Sequence, residues 1–89
     1  MDTTQYKNDA KDFAKKAVDF EDAKNYEESI VYYRKAISNL KVVVEYEWNK
    51  YSKETFAKGL KSYEDRVQYL TDLINSKNQP AKKEKVGGK

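Results

Sequence analysis

Three stretches of this sequence place apolar residues alternately four and three positions apart, and this spacing constrains the fold most. The stripes are Tyr6, Ala10, Phe13, Ala17 and Phe20; Tyr26, Ile30, Tyr33, Ile37, Leu40 and Val44; and Phe56, Leu60, Tyr63, Val67, Leu70 and Ile74. Such spacing puts one apolar stripe along one face of a helix, and no segment alternates as a strand does. We therefore predict an all-α fold, an antiparallel up-down-up three-helix bundle with helices near residues 5–22, 26–47 and 52–75.

Polar residues at the ends of these stripes are typical of helix caps. We predict Thr4, Asn25 and Ser52 as the three N-caps, and Asn75, Asn78 and Pro80 as the residues that end the third helix. Asn25 stands three residues before Glu28, an arrangement that resembles a capping box. The caps agree with the boundaries that the stripes predict.

The charge of the chain is unevenly distributed. The formal net charge is +3, but residues 76–89 carry five lysines against one glutamate, which leaves residues 1–75 with 13 basic and 14 acidic side chains. We predict a three-helix domain over residues 1–77 and a basic flexible tail over 78–89. Because the predicted domain has no overall positive field, we expect no nucleic-acid partner.

The residue types exclude several kinds of chemistry. The sequence has no Cys and no His, so it lacks thiol nucleophiles, ordinary zinc ligands and the commonest general base. No apolar run approaches the roughly 20 residues that span a bilayer. We expect no cofactor, no metal, no catalytic residue and no direct membrane insertion, and we expect the isolated domain to be a monomer.

The segment "NYEESIVYYRKAI" also suits the opening of a tetratricopeptide repeat. Such repeats recur every 34 residues or so as two helices of about 14 residues, usually with a Pro between repeats. Here the segment occurs once, the second and third predicted helices are longer, and the first Pro is Pro80. The pattern therefore favours a bundle over a repeat.

The order and spacing of several motifs resemble the MIT (microtubule-interacting and trafficking) domain. The motifs are "AKKAVDFEDAKNYEESIVYYRKAISNLKVVVEYEWN" followed by "SYEDRVQYLTDLI", and together they cover about residues 8–77. The resemblance is strongest to the MIT domain of the vacuolar protein-sorting AAA ATPase that acts on ESCRT-III. It implies a peptide-binding adaptor that recruits its parent protein to C-terminal MIT-interacting motifs of ESCRT-III subunits. It also implies a cytoplasmic protein, recruited peripherally to endosomal or other remodelling membranes.

The resemblance implies two classes of ligand and therefore two grooves. One class binds as a helix between the second and third helices, through a Leu flanked upstream by a Lys; here those positions are Glu64 and Gly59. A carboxylate costs free energy where an apolar ligand must pack. The other class lies extended between the first and third helices, and the apolar residue that favours it is kept as Val18 in "AVDF". We therefore favour the groove between the first and third helices.

Each groove has candidate lining residues. For the groove between the first and third helices they are Ala14, Val18, Val67 and Leu70; for the groove between the second and third they are Val42, Lys58 and Glu64. The apolar candidates also suit core packing, because each helix of a three-helix bundle is expected to touch two others. Lys58 also suits an ordinary solvated charge. The hypothesis predicts that Val18→Asp abolishes binding of an extended motif without unfolding the bundle.

Two alternatives and one local question stay open. The parent protein is either an ATPase or another carrier of MIT domains, such as a sorting nexin, protease, kinase or deubiquitinase. The domain is alternatively a small helical scaffold, or a nucleic-acid binder that works through its Lys-rich tail. Trp48 and Tyr51, at the predicted junction of the second and third helices, either pack as a plug or join a binding surface, and the plug is the commoner role of such a pair.

Overall fold

The computed structural model describes residues 2–78, without the side chains of residues 77 and 78, and consists of three helices. They are α1 (Thr4–Asp22), α2 (Tyr26–Tyr46) and α3 (Lys50–Asn78), packed antiparallel, with no strand among the described residues. The predicted all-α three-helix bundle is confirmed. α3 begins two residues before and ends three residues after its predicted bounds. Asn78, the first residue of the predicted tail, is the last residue of α3, and residues 79–89, including Pro80, lie outside the described residues.

The start of α1 is capped differently from the prediction. Thr4 is the first helical residue, and the Oδ1 of Asp2 accepts hydrogen bonds from the Thr4 backbone N–H (2.9 Å) and from its hydroxyl (2.7 Å). Thr3 occupies the N-cap position without a capping side-chain bond. The prediction of Thr4 as the cap is wrong, because a carboxylate two residues upstream supplies the acceptor.

The prediction of Asn25 as the N-cap of α2 is confirmed. Its Oδ1 accepts from the Glu28 N–H at 3.5 Å. The N–H of Asn25 donates to the carbonyl of Phe20 at 2.8 Å, so this N–H closes the α1–α2 turn instead of completing a capping box. Lys24 has a φ of 64° in the same turn, which lets the chain reverse within three residues.

The ends predicted for α3 are partly wrong. Asn49 is the capping residue, because its Oδ1 accepts from the Ser52 N–H at 3.0 Å, and Ser52 lies inside the helix. Asn75 is also inside α3, which ends at Asn78. A polar side chain inside a helix simply faces water, so the same residue types mark a helix end at one position and a helix surface at another.

α1 and α2 pack closely because the residues that face each other are small. Ala10, Ala14 and Ala17 are buried on α1. The Oγ of Ser29, on α2, donates to the carbonyl of Ala17 at 2.7 Å, which brings the two helices into direct contact. Because this buried hydroxyl has a hydrogen-bond partner, it carries no penalty for an unsatisfied polar group.

α3 packs on α2 and stands apart from α1. Within the described residues, no α-carbon of α1 lies within 8 Å of one of α3. Leu70 is the fully buried side chain of α3, with 0% exposure, and it joins Ala17, Ile30 and Tyr33 in one core cluster. The expectation that each helix touches two others holds for α1 and α3 through their side chains, while their backbones stay further apart than those of the other two pairs.

Two general features of the described residues bear on function. No helix among them is both long and apolar enough to cross a membrane. Across residues 2–78, no group of three or more acidic side chains comes together in a way that could hold a metal ion. Surface grooves and patches are therefore the features to consider as sites.

Candidate functional site

The space between α1 and α3 forms a seam along one side of the bundle. One face of α1 carries Lys7, Lys11, Ala14, Val18 and Glu21, spaced four, three, four and three residues apart. Two of these side chains reach α3: the Nζ of Lys7 lies 5.3 Å from the ring centroid of Phe56, and Glu21 binds Arg66. Residues at helical spacing share one face, so the whole row faces the seam.

One end of the seam is bridged by polar bonds, and we call it the closed half. The carboxylate of Glu21 forms an ion pair with Arg66 of α3, whose Nε donates to Oε1 at 3.0 Å. The hydroxyl of Tyr33, on α2, donates to the same oxygen at 3.0 Å. Burial raises the pKa of Tyr33, which keeps its hydroxyl protonated as a donor. The three helices are joined at this single carboxylate.

The other end of the seam is an open pocket of about 360 Å³, and we call it the open half. Its lining residues are Lys7, Asn8, Ala10 and Lys11 of α1, Leu40 of α2, and Thr55, Phe56, Gly59 and Tyr63 of α3. Leu40 is buried on α2 and forms the apolar floor. A Cβ placed on Gly59 would lie 3.9 Å from the Cδ1 of Leu40, so the missing side chain leaves room above the floor.

Positive charge lines the α1 side of the open half. Lys7 lies over the ring of Phe56 and also forms an ion pair of 2.9 Å with Glu47. The hydrogen bond from Lys7 lowers the pKa of Glu47, so this carboxylate is ionised at neutral pH. Lys11 is exposed one turn further along α1. The pocket thus combines an apolar floor with a cationic rim, a combination that suits an acidic peptide with an apolar side chain.

The four residues predicted for the groove between the first and third helices have very different exposures. Val18 is 45% exposed on the seam face of α1, and Val67 is half-buried on α3. Ala14 and Leu70 are buried, and Leu70 belongs to the core cluster. Their role in peptide binding stays a prediction; Val18 is the member with the most surface to offer a ligand.

The residues predicted for the groove between the second and third helices are spread over its surface. Val42 is half-buried on α2, whereas Lys58 and Glu64 are exposed on α3. Nearby, Lys61 pairs with Asp65 at 2.9 Å, and the hydrogen bond that its ammonium donates to that carboxylate raises the pKa of Lys61. The role of Val42, Lys58 and Glu64 in binding a ligand helix stays a prediction.

Sequence reasoning missed the pocket and the bridge beside it. In the sequence Gly59 is only a departure from the family pattern, and nothing in its spacing shows the opening that it leaves beside Leu40. Glu21 and Arg66 lie 45 positions apart, and no local spacing pairs them. A signal existed for the pocket alone, because a glycine on the apolar face of a helix often marks a place where another group approaches closely.

Of the two roles left open for Trp48 and Tyr51, the structure does not bear out the packing plug. Trp48 is 89% exposed and Tyr51 is 80% exposed. The tight α2–α3 connection is held by polar groups: the Glu47 N–H donates to the Val43 carbonyl at 2.8 Å, and the Lys53 N–H to the Asn49 carbonyl at 2.9 Å. The connection therefore needs no aromatic packing to close.

The family model of the MIT (microtubule interacting and transport) domain matches residues 8–72. This span contains most of α1, all of α2 and most of α3, including both halves of the seam. No curated protein and no solved structure matches the chain.

Proposed function

Because this chain belongs to the MIT domain family, a family of protein-interaction modules that generally bind ESCRT-III motifs, we propose that it binds such a motif in the seam between α1 and α3. The motif is the C-terminal segment of an ESCRT-III subunit, bound in an extended conformation. Binding recruits the parent protein to the site of membrane remodelling. As an interaction module the domain itself is not catalytic.

The observation that carries this proposal is the separation of α1 from α3. Helices in direct contact interdigitate at axial distances of about 8–10 Å and leave only shallow surface grooves. Here no α-carbon of α1 comes within 8 Å of α3 among the described residues, and Leu40 of α2 forms a floor between them. A strand-like peptide lying over such a floor can place alternate side chains downwards.

The pocket beside Gly59 favours one particular kind of anchor. A volume of about 360 Å³ accepts a large aliphatic or aromatic side chain, and Leu40 and Phe56 supply apolar walls. Lys11 on the rim, which forms no ion pair with any described residue, favours an acidic residue next to that anchor. We therefore propose an acidic peptide with one bulky apolar residue as the preferred ligand.

Towards the closed half, the groove runs over Val18. The ion pair between Glu21 and Arg66 bridges the seam one turn beyond this residue, so the bridge limits how far a peptide extends along the floor. Val18 is the last exposed apolar residue of the α1 seam face before that bridge. An aspartate at this position would put a desolvated charge under the peptide.

NMR titration with C-terminal peptides of ESCRT-III subunits tests the proposal. We expect shifts along the row from Lys7 to Val18 and around Gly59 on α3. Gly59→Leu fills the pocket and should weaken binding at least tenfold, the scale expected when a buried anchor is displaced. Val18→Asp should abolish binding, and the fold of each variant is checked by circular dichroism.

Val31→Asp is the matched control. Val31 is 43% exposed, close to the exposure of Val18, but it lies on α2 away from the seam. The control should bind with unchanged affinity. Equal losses in Val18→Asp and Val31→Asp, or shifts confined to Val42, Lys58 and Glu64, would place the ligand outside the seam.

The parent protein is a further part of this proposal. We propose an ESCRT-III-disassembling AAA ATPase, supported by the resemblance of residues 23–29 and 63–70 to its MIT domain. On this proposal residues 78–89 form the linker to the ATPase domain, and the protein acts in the cytoplasm and at endosomal membranes. A Walker phosphate-binding motif in the gene, downstream of residue 89, would support it; a different downstream domain would point to another carrier.

A further inference from the structure

Exposed aromatic side chains cluster at the end of the bundle where α2 meets α3. Trp48 and Tyr51 are 89% and 80% exposed, and Tyr46 at the end of α2 is half exposed. Lys50 and Lys53 lie within the same few residues. We call these five residues the tip. An aromatic pair this exposed is unusual for a surface with no partner, because large apolar patches on monomers commonly mark interaction sites.

The tip borders the open half of the seam, because the Thr55 hydroxyl donates to the Tyr51 carbonyl and Glu47 pairs with Lys7. It joins the end of α2 to the start of α3. At the usual helical rise, α3 is about 42 Å long from Lys50 to Asn78. The residues after Asn78 therefore begin at the opposite end of the bundle from Trp48. Among the described residues, the tip is also absent from the lining of the open half.

The area of the tip is too small for a stable protein interface. Two fully buried aromatic side chains supply about 300–500 Å², whereas each partner of a standard protein complex buries roughly 800 Å². A second copy of this chain or a folded partner would need further apolar surface around Trp48. A lipid bilayer deforms around two protruding rings, so docking on it requires no further apolar surface on the protein.

The side-chain types at the tip match the interfacial region of a lipid bilayer. Trp and Tyr join an apolar ring to one polar group, and both concentrate at the level of lipid headgroups. Lysines beside them extend their apolar stems along the surface while the ammonium groups reach the phosphates. A tip with Leu or Phe at the same positions would not carry this signature.

The local charges complement lipid phosphates. Within residues 46–53 the one carboxylate, Glu47, is paired with Lys7 at 2.9 Å. Neither Lys50 nor Lys53 forms an ion pair with any described residue. Glu45 and Glu54 flank the segment on either side and reduce its positive electrostatic potential. The aromatic rings should therefore dominate the affinity, with a smaller contribution from anionic lipid.

We propose that the tip is a membrane-docking site, in which Trp48 and Tyr51 enter the interfacial region of a bilayer while Lys50 and Lys53 contact lipid phosphates. This side-chain insertion differs from the spanning segment that the sequence lacks. None of the five tip residues lines the open half, so a peptide there and a bilayer at the tip would contact different side chains. Docking through the tip would place this end of the bundle on the membrane and leave the seam accessible to a peptide beside the membrane.

The fluorescence of Trp48 tests this proposal directly, because it is the only Trp of the chain. The full 89-residue chain is titrated with vesicles of phosphatidylcholine, with and without phosphatidylserine. We expect a blue shift and protection from an aqueous quencher on both. In vesicle flotation, Trp48→Ala should lose binding, and Tyr51→Ala should weaken it severalfold. Each of Lys50→Gln and Lys53→Gln should weaken binding to the anionic vesicles by about fivefold.

Tyr69→Ala is the control, because Tyr69 is an exposed aromatic residue (52%) on α3 outside the tip. It should float with vesicles like the unaltered chain. The proposal is overturned by an unshifted spectrum on both vesicles, by equal losses for Tyr69→Ala and Trp48→Ala, or by a blue shift that grows with protein concentration in the absence of lipid. The last result would identify the tip as a contact between copies of the chain.

Discussion

Along one seam of this bundle, α1 and α3 are bridged at one end and separated at the other. In the closed half, Glu21 binds Arg66 and Tyr33, and Leu70 fills the core beneath. In the open half, the absence of a side chain at Gly59 leaves a pocket over Leu40. The same two helices therefore supply rigidity in one place and a vacant surface in the other.

This difference shows how a small domain divides its apolar residues between stability and binding. A chain of 89 residues buries only about 60% of its unfolded surface, so few side chains are available for the core. Here they concentrate between α1 and α2 and around Leu70. The apolar residues of α3 outside that cluster are half-buried or exposed, and they supply surface that a ligand can cover.

The largest expected effect separates the two halves by stability. Leu70→Ala removes a fully buried side chain and should lower the free energy of unfolding by about 2–5 kcal/mol. Leu60→Ala, on the same helix but half-buried, should cost less than half as much. Urea denaturation followed by circular dichroism gives both values. Equal costs would mean that α3 is packed uniformly and that the seam has no loosely packed half.

A second substitution acts in the open half with the opposite sign. Gly59→Ala should raise the free energy of unfolding by about 0.5–1 kcal/mol, because Gly is a poor helix former. The new Cβ would make ordinary van der Waals contact with Leu40 at 3.9 Å. Ala57→Gly, two residues away on α3, is the reverse control and should lower stability by a similar amount. A destabilised Gly59→Ala would show that the wall has no room for a methyl group.

The sequence predicted the helices well because apolar periodicity and helix length are local properties. All three stripes became helices, and the boundaries of α1 and α2 moved by one residue at most. Caps were harder, because Asp2, Asn49 and their neighbours compete for the same backbone donors. The choice between them depends on the exact path of the chain into the helix.

The candidate site was only partly visible in the sequence, because it depends on the distance between two helices that are remote in the chain. Spacing placed Val67 on the apolar stripe of α3, where its half-buried side chain packs against the core cluster, and placed Val18 off the stripe of α1, where it is exposed. The gap between α1 and α3 could not be predicted from spacing, because it depends on how α3 packs against α2. The contact of Glu21 with Arg66 is a consequence of the same arrangement, and it spans 45 positions.

A third substitution breaks the bridge of the closed half. Glu21→Gln removes the charge that binds Arg66 but keeps an oxygen for the hydroxyl of Tyr33. The guanidinium is partly exposed, so the loss should be about 0.5–1 kcal/mol and should shrink as salt is added. Asp65→Asn, which breaks the exposed pair with Lys61 within α3, should cost less. An equal cost would mean that Glu21 does not tie α1 to α3.

The smallest expected effect is a shift in the titration of Glu47 at the edge of the open half. The pKa of this carboxyl lies below its usual value, chiefly because the ammonium of Lys7 donates a hydrogen bond to it. A lowered pKa in the folded chain stabilises the fold above the ordinary pKa of a glutamate, and that stabilisation is lost as pH falls through the lowered value.

Lys7→Gln should therefore raise the pKa of Glu47 towards 4.5 and reduce the acid-side dependence of stability on pH. Lys11→Gln is the control, because Lys11 is also on the rim of the pocket but has no ion pair with Glu47. Carboxyl-carbon NMR titration of the three proteins resolves the difference. An unchanged pKa in Lys7→Gln would mean that Lys7 does not hold Glu47 in solution, which would leave its charge available to a peptide in the open half.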